Sequence, residues 1–162
     1  MNIRQADASD TERVRAYIEA FQAEECDTIV HWSPPTDPGQ NSEKLCKRDG
    51  EGAVAIVAEE DGKIMGHIET SVPRGEEIRH TCELGMIVLE KYRRRGIGTR
   101  LLQSLLDWAH SRSLSIVELH VYSINGPAIA MYTRLGFVED GRTKNGVRLR
   151  NGMYCDMIHM SR

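Results

Sequence analysis

The sequence predicts an α+β domain: a central twisted sheet of about seven strands, mixed but mostly antiparallel, flanked by helices. Three observations lead there. Seven stretches read as strands, and two of them are joined by "EEDG", an Asp-Gly hairpin signature between apolar runs. Other stretches place apolar residues at the helical period. At 162 residues the chain suits one hydrophobic core and is short for two, so residues 1–162 are expected to form a single domain.

Taken in order, residues 1 to 6 alternate as a short strand. "DASDTERVRAYIEAFQAE" follows, with Asp or Ser placed to cap a helix whose apolar positions include Val14, Tyr17, Ile18 and Phe21. From 24 to 52 the pattern breaks into prolines, glycines and polar residues, with at most one short helix near "NSEKLCKR". "AVAIVAEEDGKIMGHIETSV" is the hairpin, and "RHTCELGMIVLE" is a third strand of that meander. "GTRLLQSLLDWAHSR" sets Leu101, Leu102, Leu105, Leu106 and Ala109 on one helical stripe. "SIVELHVYS" reads as a strand, and "GPAIAMYTRLG" as a helix with Pro127 in its first turn and Gly136 at its end. "FVEDGRTKNGVRLRNGMYCDMIHM" reads as two strands turning at "KNG". The last strand is expected to be an exposed edge, open to pairing in a homodimer.

Composition narrows the function classes. Hydrophobic residues are 40% and charged residues 28%, ordinary for a globular protein, and the net charge of −3 speaks against a general nucleic-acid binder. The polar start "MNIRQADASDTERV" lacks the apolar core of a secretory signal, and no segment reaches membrane-spanning length. The expectation is a cytoplasmic protein without membrane association. Cys26, Cys46, Cys82 and Cys155 are scattered with no C-x-x-C, and the six histidines show no ligand spacing. Reduced thiols and no metal are expected.

The chemistry concentrates in "EKYRRRGIGTRLLQSLLDWA". Three consecutive arginines repel and glycine is a poor helix residue, so the run is locally unfavourable unless something negative sits there. A helix N-terminus offers unpaired N–H groups and the positive end of the helix dipole to an anion. Gly96 and Gly98 let an oxyanion approach the main chain and permit positive φ. The alternative is a solvated arginine loop with glycines serving a tight turn. The run follows a strand and opens a helix, as an anion site requires. It lacks the Gly-Lys-Ser/Thr of a nucleotide-triphosphate loop, and only two of the three dinucleotide glycines are present. A different phosphorylated ligand is called for.

"RRRGIG", Arg93 to Gly98, resembles the Q/R-x-x-G-x-G/A hallmark of the GNAT-type N-acetyltransferases, and "NGPAIAMYTRLGF" is similar to a second element of that family, with Asn125, Ala128, Tyr132, Gly136 and Phe137 in register. The likeness covers nearly the whole chain; Glu90 departs from the proline many members have before the tyrosine and arginine. The resemblance implies a GNAT-like fold and acetyl-CoA as cosubstrate. It implies that the backbone of Met86, Ile87 and Val88 pairs with the pantetheine arm. It gives Arg93, Arg94, Arg95, Gly96, Ile97, Gly98 and Thr99 to the pyrophosphate, Asn125 to the pantetheine, Tyr132 to the neighbourhood of the sulfur, and counts Ala128 among the cofactor-binding residues. Asn125 is also a good cap for the helix after it, and the alternative for Tyr132 is a core aromatic.

Acetyl transfer to an amine needs a base for the ammonium, polarisation of the thioester carbonyl and a donor to the departing thiolate. Backbone N–H near Ile87 or Val88 suits the second demand and the Tyr132 phenol the third. Glu83 and His120, on neighbouring strands, are the two candidates for the base, with water as the alternative. The expected acceptor is a small-molecule primary amine such as an amino acid, since the tail "RLRNGMYCDMIHM" resembles the ends of members acting on free amino acids. Glu24, Glu25 and Asp27 are placed to attract a cationic amine, beside Trp32 as an apolar wall. A peptide or protein N-terminus, and a catalytically silent acyl-CoA sensor, are the competing readings.

Overall fold

The structure, a computed structural model, describes residues 1–24, 53–71, 73 and 75–162. Within these the chain runs β1 (Asn2–Gln5), α1 (Thr11–Gln22), β2 (Ala55–Glu60), β3 (Lys63–Ser71), β4 (Thr81–Val88), α2 (Ile97–Ser111), β5 (Ile116–Tyr122), α3 (Gly126–Arg134), β6 (Val138–Arg148) and β7 (Tyr154–Ser161). The expected short helix near "NSEKLCKR" lies outside the described residues. The strands form one sheet in the order β1-β2-β3-β4-β5-β7-β6. Every neighbouring pair is antiparallel except β4 and β5, which run parallel with α2 as the crossover between them.

That parallel pairing is short. Thr81, Cys82 and Glu83 register with Ile116, Val117 and Glu118, and beyond Glu83 the two strands part. The gap opens toward the ends of β4 and β5, from which the chain leads into α2 and α3.

Each face of the sheet buries its own apolar set. On one, Ile68, Leu84, Leu119 and Ile158 meet Leu101, Leu102 and Leu105 of α2 and Phe137 after α3. The helical stripe holds in substance, since Leu101, Leu102, Leu105 and Ala109 are buried with Ile97 and Trp108, while Leu106 is only partly covered. On the other face Val14, Tyr17, Ile18 and Phe21 of α1 pack on Ala55, Val57 and Ile64. Fully burying a side chain of this size contributes about 2 kcal/mol, so these two layers hold the strands that frame the gap.

The start of α1 is pinned by charge. Asp10 is fully buried and takes two 2.7 Å bonds from the Arg4 guanidinium, with Arg13 also in contact. Arg4 and Arg13 both reach Glu59 on β2, at 3.0 and 2.8 Å. A buried carboxylate is tolerable only when paired in this way.

The "EEDG" hairpin forms as expected, with Asp61 and Gly62 at φ 51° and 75°. The turn expected at "KNG" does not. Lys144–Gly146 sit inside β6 as a bulge, where the register jumps between Thr143 and Val147, Asn145 has φ 52° and its N–H donates to Asp156 Oδ1. The chain turns instead at the second Asn-Gly, Asn151-Gly152, with Gly152 at φ 85°. The local signals are alike at both places; burying Leu149 with Tyr122 and Cys155 selects the later one. The expected exposed last strand is also corrected: β7 inserts between β5 and β6, so the sheet's edges are β1 and β6.

Candidate active site

Where β4 and β5 separate, a groove of about 780 Å³ runs between the strand ends and the first turns of α2 and α3. Its walls gather most of the residues singled out from the sequence. Glu83, Met86 and Val88 come from β4, and His120 from β5. Gly96 to Thr99 open α2, and Asn125, Ala128 and Tyr132 belong to α3 and its cap.

Helix α2 begins without a side-chain cap. Gly96 occupies the cap position in a left-handed conformation, φ 76°, and the first helical bond runs from Arg100 N–H to Gly96 C=O at 3.1 Å. The N–H groups of Ile97, Gly98 and Thr99 therefore have no acceptor within the helix. A Cβ at Gly96 would meet nothing within 4 Å, so this glycine answers to its φ and faces open space. Gly98 has another reason. A Cβ there would approach Met131 Sδ to 3.3 Å and Met86 Cε to 3.5 Å, so it makes room for two methionines in the groove wall.

The three arginines part company. Arg94 lines the groove with φ 61°. Arg93 also lines it, yet its Nε donates to Val88 C=O at 3.0 Å and its Nη2 reaches Glu24 Oε2 at 3.3 Å. Arg95 turns to Glu60 of β2 at 2.7 Å and is not among the lining residues. Glu24, expected to attract an amine, thus braces the loop, its Oε1 also accepting from Glu90 N–H at 2.8 Å. Glu25, Asp27 and Trp32 lie outside the described residues, as do Cys26 and Cys46.

Of the expected pantetheine-pairing residues, Met86 and Val88 line the groove, while Ile87 packs toward α1. The buried Tyr17 hydroxyl donates to Ile87 C=O at 3.0 Å and lies 3.2 Å from His67 Nδ1. With its one hydrogen given to the carbonyl, Tyr17 accepts from His67, which fixes the hydrogen on Nδ1. Burial raises the Tyr17 phenol well above its ordinary range and keeps it neutral.

On α3, Asn125 Oδ1 accepts from Ala128 N–H at 3.3 Å, so the capping role is real. Tyr132 is buried against Phe137, ring centroids 5.7 Å apart, at the groove wall. Burial raises its phenol, which stays protonated at neutral pH. None of the described residues hydrogen-bonds its hydroxyl.

The two candidate bases meet. His120 Nδ1 lies 2.9 Å from Glu83 Oε1, at the point where the strands diverge. A carboxylate there holds the hydrogen on Nδ1 and leaves Nε2 as the ring's acceptor. Sequence reasoning missed what lies behind this pair: the His159 ring stacks on His120 with centroids 4.8 Å apart and planes 14° from parallel, and His159 Nε2 is 3.2 Å from Glu118 Oε2. The only signal for it is the register His120↔His159, which requires knowing that β7 lies beside β5.

Cys82 and Cys155 are buried free thiols, and burial pushes Cys82 up to about 11. Among the described residues no group of three or more His, Cys, Asp or Glu is arranged to hold a metal ion, and no helix is long and apolar enough to cross a membrane.

Comparison with known proteins bears on the family and the fold. Residues 12–137 match the model of the acetyltransferase (GNAT) family. The L-amino acid N-acetyltransferase AaaT of Escherichia coli (strain K12) is 30% identical over 161 residues, covering 99% of this chain and 96% of that protein. Among solved structures, a GNAT-family acetyltransferase from Streptococcus pneumoniae superposes with a TM-score of 0.89 at 23% identity, over 99% of this chain and 98% of the other. The yncA protein from Salmonella typhimurium, a structure described as holding its cofactor acetyl-CoA, gives 0.83 at 22% identity, over 99% and 92%.

Proposed function

Because the chain belongs to the GNAT family and is an N-acetyltransferase that uses acetyl-CoA, we propose that its acceptor is the α-amine of a free amino acid or a related small amine, acetylated by direct transfer. The likeness to AaaT along nearly its whole length supports the acceptor class. The observation that carries the chemistry is the Glu83–His120 hydrogen bond in the same groove as Tyr132.

The uncapped N–H groups of Ile97, Gly98 and Thr99 bind the diphosphate of acetyl-CoA, with the Arg94 side of the loop adding positive charge. Main-chain groups of Met86 and Val88, where β5 no longer pairs with β4, take the pantetheine amides. His120 Nε2 removes one proton from the acceptor ammonium, and Glu83 stabilises the imidazolium that results. The freed amine attacks the thioester carbonyl carbon, and a β4 N–H steadies the oxygen's developing charge. As the C–S bond breaks, the Tyr132 hydroxyl donates to the sulfur; the second amine proton balances the one the thiol gains, so one proton is released per turnover. With acetyl-CoA as donor the reading carries a cytoplasmic location, and the exposed β6 edge is where a homodimer would pair.

The test is a panel of L-amino acids, other small amines and short peptides with acetyl-CoA, followed by thiol release and by mass of the product. Acetylated free amino acids are expected. Acetylation of peptides alone would favour the N-terminal reading, and ligand binding without any thiol release would favour the sensor.

A further inference from the structure

We propose that His159, locked by Glu118, is a positioning residue that holds the His120 ring in the plane from which Nε2 meets the acceptor amine. This rests on the reading of Glu83 and His120 as the proton-accepting pair. His120 is 41% exposed on a face of the sheet, and one hydrogen bond to Glu83 fixes a point on the ring but leaves the ring free to swing about it. Near-parallel stacking at 4.8 Å removes that freedom, because a swing would separate the two faces.

His159 is itself held. Its Nε2 donates to Glu118 Oε2, and Glu118 registers against Glu83, the last paired residue of β4 before the strands part. His159 lies directly across from His120 in the β5–β7 ladder. Two carboxylate–imidazole pairs are thus laid face to face, each carboxylate fixing one nitrogen of its ring. Neither Glu118 nor His159 is among the residues that line the groove, and His159 stacks on His120, which is. Reacting groups misplaced by an ångström lose rate steeply, so orientation is worth a large factor even when every catalytic atom is still present.

The experiment is a set of steady-state measurements with acetyl-CoA and the best amine from the panel. His159→Ala is expected to lower kcat about tenfold while the acetyl-CoA KM stays within twofold. His159→Phe, which keeps a flat face but loses the hydrogen bond to Glu118, is expected to recover most of that loss, and Glu118→Ala to fall between. In the His120→Ala background, His159→Ala is expected to add no further loss. A His159→Ala kcat within twofold of the parent, no recovery by His159→Phe, or an undiminished loss in the His120→Ala background each overturns the proposal, with circular dichroism certifying that the variants are folded. The underlying reading fails separately: if His120→Ala and Glu83→Gln leave kcat unchanged, the base lies elsewhere whatever His159 does.

Discussion

At Gly96 the backbone turns left-handed and a side chain would project into open groove, whereas at Gly98 the backbone is helical and a side chain would press on Met131 and Met86. The two substitutions should therefore behave differently. Gly96→Ala incurs backbone strain of about 1 kcal/mol and puts a methyl group where the ligand approaches; it should lower the thermal midpoint and weaken acetyl-CoA binding about tenfold by calorimetry. Gly98→Ala asks only a flexible thioether to yield by a few tenths of an ångström, so its cost should stay under about 1 kcal/mol in urea titrations. Tyr132→Phe keeps the ring packed on Phe137 and removes only the hydroxyl, so kcat should fall at least tenfold with acetyl-CoA affinity unchanged within about threefold. The glycine spacing was readable from the chain, but not that two glycines one residue apart serve a turn and a packing contact. Side-chain direction was less readable still. Three adjacent arginines look alike in sequence, yet Arg95 faces Glu60 and Arg93 faces Val88 and Glu24, because those partners come from other strands and from the end of α1.

Between elements, the Arg4–Asp10–Arg13–Glu59 cluster ties β1, the turn into α1, and β2. Bonds from Arg4 hold the Asp10 carboxyl far below the usual carboxylate range and bring Glu59 to about 2. Lowered folded-state values mean that this stabilisation is complete above the unfolded carboxylate range, near pH 4, and fades as pH falls through the folded values. Asp10→Asn should cost about 3 kcal/mol near neutrality by leaving Arg4 poorly matched. It should also flatten the loss of stability between about pH 4.5 and 2, as followed by urea midpoints. The strands and helices α1 to α3 were legible from apolar periodicity, and the Asp61-Gly62 hairpin was legible to the residue; of the N-caps of these helices only Asn125 at α3 holds, since Asp10 at the start of α1 makes no side-chain cap bond. The β6–β7 turn was not. Asn145-Gly146 and Asn151-Gly152 carry the same local signal, and the choice between them belongs to Leu149, which finds Tyr122 and Cys155 only once the later turn is made.

For the whole molecule, the sheet order decides what the chain can do. Strand order in space departs from order in sequence at β7, which enters between β5 and β6 and brings His159 beside His120. No local pattern encodes that insertion, which is why Glu83, His120 and Tyr132, which line one groove, could be named from the sequence while the partners behind His120 could not. A ligand that binds only the folded state stabilises it by about 2.7 kcal/mol at a hundred times its dissociation constant. Acetyl-CoA should therefore raise the thermal midpoint by several degrees, while ATP and NAD, which carry no extended amide arm to lie along the free edge of β4, should leave it nearly unchanged.

Mechanically the sheet is two wings, β1 to β4 and β5-β7-β6, hinged on three residue pairs and clamped by α2. Anything that lays an extended amide chain along β4 past Glu83 lengthens that hinge. Deuterium uptake at the amides of Met86 and Val88 should slow on adding coenzyme A, while the amides of Gly85 and Ile87, on the side of the strand already bonded to β3, should exchange at an unaltered pace.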